Sequence, residues 1–281
     1  MSDLPDLIVE PVVRAALAED LGRAGDITSK ACIPADAPMA VAFVSRSPGV
    51  IAGIDCARLA FSLLDPGARF ETLLADGAAA ATGSVVAKIE ANARAALAAE
   101  RVALNLLCRL SGIATLTAAY VAEIAGTRAR ILDTRKTTPG LRAMEKHAVC
   151  SGGGANHRFG LDDAILIKDN HVAACGGVGE AVRRARASVG HMVKIEVEID
   201  RLDQLEEALA EGPDIVLLDN FSIGDLGAAV RRTAGRALLE ASGGVSLSNV
   251  RIIAETGVDL ISVGALTHSA PILDIGLDVL V

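Results

Sequence analysis

The chain has no tryptophan, one tyrosine and five phenylalanines among 281 residues, so its core must be built mainly from Ala, Val, Leu and Ile. It also lacks a surplus of positive charge. Its 27 Lys and Arg face 35 Asp and Glu, a net charge of −8 that argues against a general nucleic-acid binder. Any cationic site must be local. The five cysteines, Cys32, Cys56, Cys108, Cys150 and Cys175, are scattered with no C-x-x-C pair, which argues against a metal knuckle and reads as reduced thiols of a cytoplasmic protein. His147, His171, His191 and His268 show neither H-x-x-x-H nor H-E-x-x-H spacing, so zinc chemistry is not expected. P-loop and dinucleotide fingerprints are missing. The first twenty residues carry five acidic groups and no signal-peptide order. Apolar runs are broken well short of the ~20 residues a bilayer span needs, so no transmembrane segment is expected.

What is present is the composition of a globular protein, 51% hydrophobic and 22% charged, long enough for a barrel plus a smaller domain. The first hundred residues give an amphipathic helix and β-type runs at Ala40 to Ile51 and Val85 to Ile89, the pattern of a small α+β domain. Ala91 to Ile124 has Ala and Leu at helical spacing, with a break between two helices expected at Ser111-Gly112. Six short aliphatic runs then alternate with helical stretches: Arg130 to Leu132, Ala164 to Ile167, Val193 to Val197, Ile215 to Leu218, Ala237 to Leu239 and Leu260 to Val263. The last four recur roughly every 22 residues, the form of βα units in a compact barrel, with an open doubly wound sheet as the competitor.

Each run is followed by polar or glycine residues: Asp133 to Lys136, Lys168 to His171, Glu198, Asp219-Asn220, Glu240 to Gly244, and Gly264. In parallel α/β folds the strand C-termini converge on one face, where such groups can line one pocket. Arg135, Lys136, Arg158 and Lys168, with His157 beside them, should hold an anion; arginine grips carboxylates with two bonds, and lysine suits phosphate oxygens. Glu198 and Asp219 form an acidic pair able to hold Mg2+, accept ribose hydroxyls or steady a developing cation. Ser242-Gly243-Gly244 and Gly264-Ala265 suit a terminal phosphate bound through backbone N–H groups, although glycine there equally permits a tight turn.

The segments LDTRKTTPGLRAMEKHAV, GGGANHRFGLDDAILIKDNH, IEVEI, LLDNFS, LEASGGV and ISVGALTHSAP, with EDLGRAGDITS and AAERVALNLLCRLSGIAT before them, closely resemble the quinolinate phosphoribosyltransferase family over nearly the whole chain. The resemblance implies an N-terminal α/β sandwich domain, residues 1–112 with the linking helix. It also implies a C-terminal open, incomplete α/β barrel, residues 113–281, whose last residues return to the N-terminal domain. The implied reaction joins quinolinate and 5-phosphoribosyl 1-pyrophosphate to give nicotinate mononucleotide, pyrophosphate and CO2 in NAD biosynthesis, with Mg2+, in a cytoplasmic homodimer or higher assembly that shares sites and engages neither nucleic acid nor membrane. Carried over by position, Arg101 from the partner subunit, Arg135, His157, Arg158 and Lys168 surround the quinolinate carboxylates. Lys136, Glu198, Asp219, Ser242, Gly243, Gly244 and Gly264 hold the phosphoribosyl donor, and Thr134, Val263 and Ala265 are further substrate-binding candidates. Lys136, Glu198 and Asp219 are the catalytic candidates, and the last two are the Mg2+ candidates. His147 departs from a common tyrosine and Cys150 from a common basic residue. The alternatives are a molybdenum-transport-associated relative with another acceptor and a noncatalytic phosphoribosyl-ligand sensor.

Overall fold

A computed structural model describes residues 4–280. Among them the strands are β1 (Pro38–Ser45), β2 (Gly49–Val50), β3 (Arg69–Thr72), β4 (Ala79–Ala80), β5 (Val85–Asn92), β6 (Arg130–Leu132), β7 (Ile165–Ile167), β8 (Ile195–Ile199), β9 (Ile215–Asp219), β10 (Leu238–Ser242), β11 (Leu260–Ser262) and β12 (Ile275–Val279). Two compact units result. The first takes the chain up to Ala118, then Thr137–Gly153, then the chain from Leu266; the second takes Ala119–Lys136 and Gly154–Ala265.

In the first unit, β12, β1, β5 and β3 form an antiparallel sheet, so the chain's last strand pairs with its first. Three of the scarce aromatics gather here: Phe43 and Phe61 meet edge to face at 5.9 Å, with Phe70 beside both. Helix Asp6–Leu21 buries Val9, Val13 and Leu17, one residue per turn on one stripe. Asp26 caps helix Ile27–Cys32 by accepting the N–H groups of Thr28 and Ser29, which gives the GDITS segment a local role.

The break expected at Ser111-Gly112 does not occur. Helix Ala93–Glu123 runs unbroken for 31 residues, and residue 112, the expected domain boundary, lies inside it. Gly112 marks a close approach, since a Cβ there would stand 2.0 Å from the Pro271 carbonyl oxygen. Ser111 Oγ faces outward from the helix to bond both the N–H and the carbonyl of Ala52. This helix is the one among the described residues long and apolar enough to cross a membrane, and 67% of its most apolar window is buried inside the protein. It is accordingly a core helix.

The second unit holds a six-stranded parallel sheet in the order β6-β11-β10-β9-β8-β7. The chain-consecutive strands β6 and β7 are its two edges, so the barrel is open between them. Leu132 makes a lone bridge to Ala155 at that opening. All six aliphatic runs became strands, but β8 and β10 extend further than the composition suggested. Glu198 lies inside β8, and Glu240 to Ser242 lie inside β10 rather than in a loop.

Candidate active site

Side-chain alternation decides what the barrel encloses. Ile195, Val197 and Ile199 of β8 are fully buried on one face, so Glu196 and Glu198 share the other. Register carries that face across the sheet: Glu198 pairs with Leu217, Leu217 with Glu240, and Asp219 with Ser242. Carboxylates and a hydroxyl thus share one face of three consecutive strands, the layered inner position of a barrel.

At the end of β6 the chain turns through Thr134, whose Oγ1 accepts the N–H of Lys136 at 3.0 Å, leaving the Lys136 side chain exposed. Buried Asp133 accepts the N–H of His157 at 2.9 Å, tying the N-H-R segment to the first strand end. Arg158 donates to the Ala164 carbonyl at 3.1 Å, yet its Nε, like that of Arg135, is buried without a partner. Burial and the neighbouring Arg135 charge hold the Arg158 guanidinium below its ordinary pKa, against the opposing pull of the Glu196 and Asp163 carboxylates, so like charges crowd in this pair.

Lys168 closes β7, and its Nζ donates to Glu198 Oε2 at 2.5 Å. The acidic pair therefore divides: Glu198 is already neutralised by a lysine, while Asp219 Oδ2 accepts from Asn220 Nδ2 at 2.8 Å. Asn220 has φ 55°, and its N–H is held by the Ser242 carbonyl at 2.8 Å. Gly243, at φ +93°, passes so close that a Cβ would meet Asn220 Oδ1 at 2.0 Å. Gly244, at φ +61°, faces open space, and Asn249 Nδ2 pins its carbonyl at 2.9 Å. Here glycine is demanded both by backbone conformation and by contact. Val263 donates its N–H to the Leu132 carbonyl at 2.9 Å and is buried, placing Gly264 and Ala265 directly beyond β11. Arg101 lies on the exposed side of helix Ala93–Glu123 in the first unit.

The sequence pattern gave Glu196 no role and gave Glu240 only a place at a strand end. Both are buried, at 4% and 1% exposure, and one oxygen of each lies within 4.8 Å of the other and of a His157 ring nitrogen. Burial, and then the charge of Glu196, push the Glu240 carboxyl well above the usual carboxylate range. The available signal was a Glu-x-Glu inside an aliphatic strand, since period two puts both acids on one face.

A parallel open barrel with cations and acids at its strand ends defines an enzyme of the α/β-barrel class that works on anionic small molecules. Residues 26–111 match the N-terminal domain, and residues 113–278 the C-terminal domain, of quinolinate phosphoribosyl transferase. The chain is 50% identical to the nicotinate-nucleotide pyrophosphorylase [carboxylating] of Mycobacterium leprae over 99% of both chains. It is 46% identical to a probable enzyme of that name from Bacillus subtilis, covering 93% of this chain and 90% of that one. The nicotinate-nucleotide pyrophosphorylase structure from Francisella tularensis superposes with a TM-score of 0.95 at 39% identity, covering 99% of this chain and 98% of that one. The chain belongs to the quinolinate phosphoribosyltransferase family.

Proposed function

We propose that this protein transfers the phosphoribosyl group of 5-phosphoribosyl 1-pyrophosphate to quinolinate, giving nicotinate mononucleotide, pyrophosphate and CO2 for NAD biosynthesis. The carrying observation is the Arg135 and Arg158 pair, each with a buried Nε that lacks a partner. Buried donors of this kind call for acceptors, and a dicarboxylate supplies four oxygens in the geometry that arginine grips best.

In this reading Arg135 and Arg158 hold the acceptor's carboxylates, with His157 and Lys168 beside them and Arg101 supplied by the partner subunit of a homodimer. The exposure of Arg101 supports that last role. The donor lies over Asp219 and the Ser242 to Gly244 turn, with Thr134, Val263, Gly264 and Ala265 around it. The ring nitrogen attacks the sugar carbon as the bond to pyrophosphate breaks, and exposed Lys136 offsets the charge that gathers on the leaving group. The ring nitrogen becomes cationic, so the electron pair left when the adjacent carboxylate departs as CO2 is stabilised until that carbon takes a proton. These residues act by positioning and fixed charge, so neither a nucleophile nor a strong base is required.

Mg2+ fits this donor set. Glu198 and Asp219 belong to no three-ligand cluster among the described residues, and Mg2+ commonly takes one or two carboxylates and completes its shell with phosphate oxygens and water. Asp219 would hold it, joined by Glu198 when Lys168 turns from that carboxylate to the acceptor, and the ion would neutralise pyrophosphate charge. All five cysteines are thiols, which supports a reducing cytoplasmic setting.

Purified protein given donor and Mg2+ is expected to form nicotinate mononucleotide with quinolinate and not with nicotinate. Turnover of another acceptor in place of quinolinate would move the protein to the molybdenum-transport-associated type. Donor binding with no pyrophosphate release would make it a sensor.

A further inference from the structure

Glu196 and Glu240 are buried against His157, and the reaction above assigns neither acid a step. His157 Nε2 lies 2.9 Å from Glu196 Oε2 and 3.7 Å from Glu240 Oε1. Its Nδ1 accepts the backbone N–H of Arg158 at 2.7 Å. An Nδ1 that accepts carries a lone pair, so in the neutral ring the proton sits on Nε2 and is directed at Glu196. This tautomer argues against a metal ion among the three residues, since the ion would need the Nε2 lone pair. The adjacent Arg158, whose charge interacts with Glu196, argues the same way.

Two acids remain with one N–H between them. Glu196 Oε1 and both oxygens of Glu240 are buried without a hydrogen-bond partner. Two adjacent buried anions repel each other, and acceptor-only groups cannot satisfy one another. A single added proton removes both difficulties. It belongs on Glu240, because Glu196 already has the imidazole N–H and the nearby guanidinium to stabilise its charge. Ser262, on the adjoining strand β11, offers Glu240 a hydroxyl that favours its charged form, but burial and the Glu196 charge outweigh it.

We infer that Glu240 is a positioning residue: it carries a proton, donates it to Glu196, and so holds the Glu196 anion against His157 Nε2–H, fixing the ring that orients Arg158. His157 is held at three points, since Glu196 faces its Nε2, Asp133 holds its backbone N–H and its own Nδ1 holds that of Arg158. Glu240 touches no substrate. It acts through Glu196 and His157 on the arginine assigned to the acceptor, so this inference rests on the function proposed above.

The test compares E240Q, E240L and E196Q with wild type. A glutamine amide replaces the donated O–H, so E240Q should keep the quinolinate KM within about threefold of wild type. E240L should raise that KM roughly tenfold or more while leaving the donor KM near its original value. E196Q, which loses the anion that His157 faces, should resemble E240L. Infrared spectra of substrate-free wild type should show the C=O stretch of a protonated carboxylic acid, sensitive to deuterium exchange and absent from E240Q. Missing that band, finding E240Q as damaged as E240L, or finding a stoichiometric divalent metal that E240Q loses would overturn the inference. Rescue by E196Q together with failure of E240Q would also overturn it, placing the proton on the other acid. If wild type turns over no quinolinate, the infrared band still decides the proton, and only the functional reading falls.

Discussion

Each of the two units contains a glutamate cut off from water, and the two are treated in opposite ways. Glu145 in the first unit is 0% exposed and fully engaged: Arg109 donates to Oε1 through Nε and Nη2 at 3.0 and 2.6 Å, and the Thr138 N–H donates to Oε2 at 3.0 Å. Glu240 in the second unit is 1% exposed and has no hydrogen-bond partner at either oxygen. A buried charge fully supplied with donors fixes a fold, whereas a buried carboxyl left without donors is retained at a cost and points to function. The same contrast holds for cations. Arg109 in the first unit also bonds Thr138 Oγ1 and the Thr267 carbonyl, while Arg135 and Arg158 keep buried donors unused.

That contrast is breakable by substitution. The largest effect should come from Lys136→Ala, expected to lower kcat by roughly 100- to 1000-fold, the scale of losing one charge aimed at a transition state, with little change in melting temperature. Steady-state kinetics beside thermal unfolding checks it, and near-normal turnover removes the role given to Lys136. Glu145→Ala should do the reverse, destabilising the protein by about 3 kcal/mol in denaturant unfolding, because Arg109 and the Thr138 N–H lose their acceptor. Gly243→Ala must move Asn220, whose Oδ1 would lie 2.0 Å from the new Cβ, and should cost about 1 to 3 kcal/mol while raising the donor KM. Smallest in stability is Glu240→Leu, expected to cost about 1 kcal/mol, since it strands a buried Glu196 oxygen but also removes a buried carboxyl that receives no donor of its own. Equal destabilisation by Glu145→Ala and Glu240→Leu would erase the distinction between the units.

Much of this organisation was legible in the sequence because local pattern governs it. Aliphatic runs at regular spacing became the six parallel strands, and the polar residues beyond them gathered at strand ends. Where tertiary contact governs, local pattern misled. Ser111-Gly112 has the composition of a helix break, but the pair lies in a continuous helix because the glycine admits the Pro271 backbone and the serine bonds Ala52. Glu240 resembled any other polar strand end because a lone acid beside a small-residue turn does not disclose which way a strand faces. Its meaning required the register with Leu217 and the arrival of His157 from a distant segment. The division of the acidic pair, with Glu198 taken by Lys168, was likewise invisible, since those residues are 30 positions apart.

The most direct test of the account follows the carboxylate that the ring loses. Quinolinate labelled at the carboxyl group adjacent to the ring nitrogen, incubated with protein, donor and Mg2+, should release labelled CO2 and pyrophosphate in equal amounts, with the label absent from the nucleotide formed. Retention of the label in a nucleotide product, or pyrophosphate release without CO2, would contradict it.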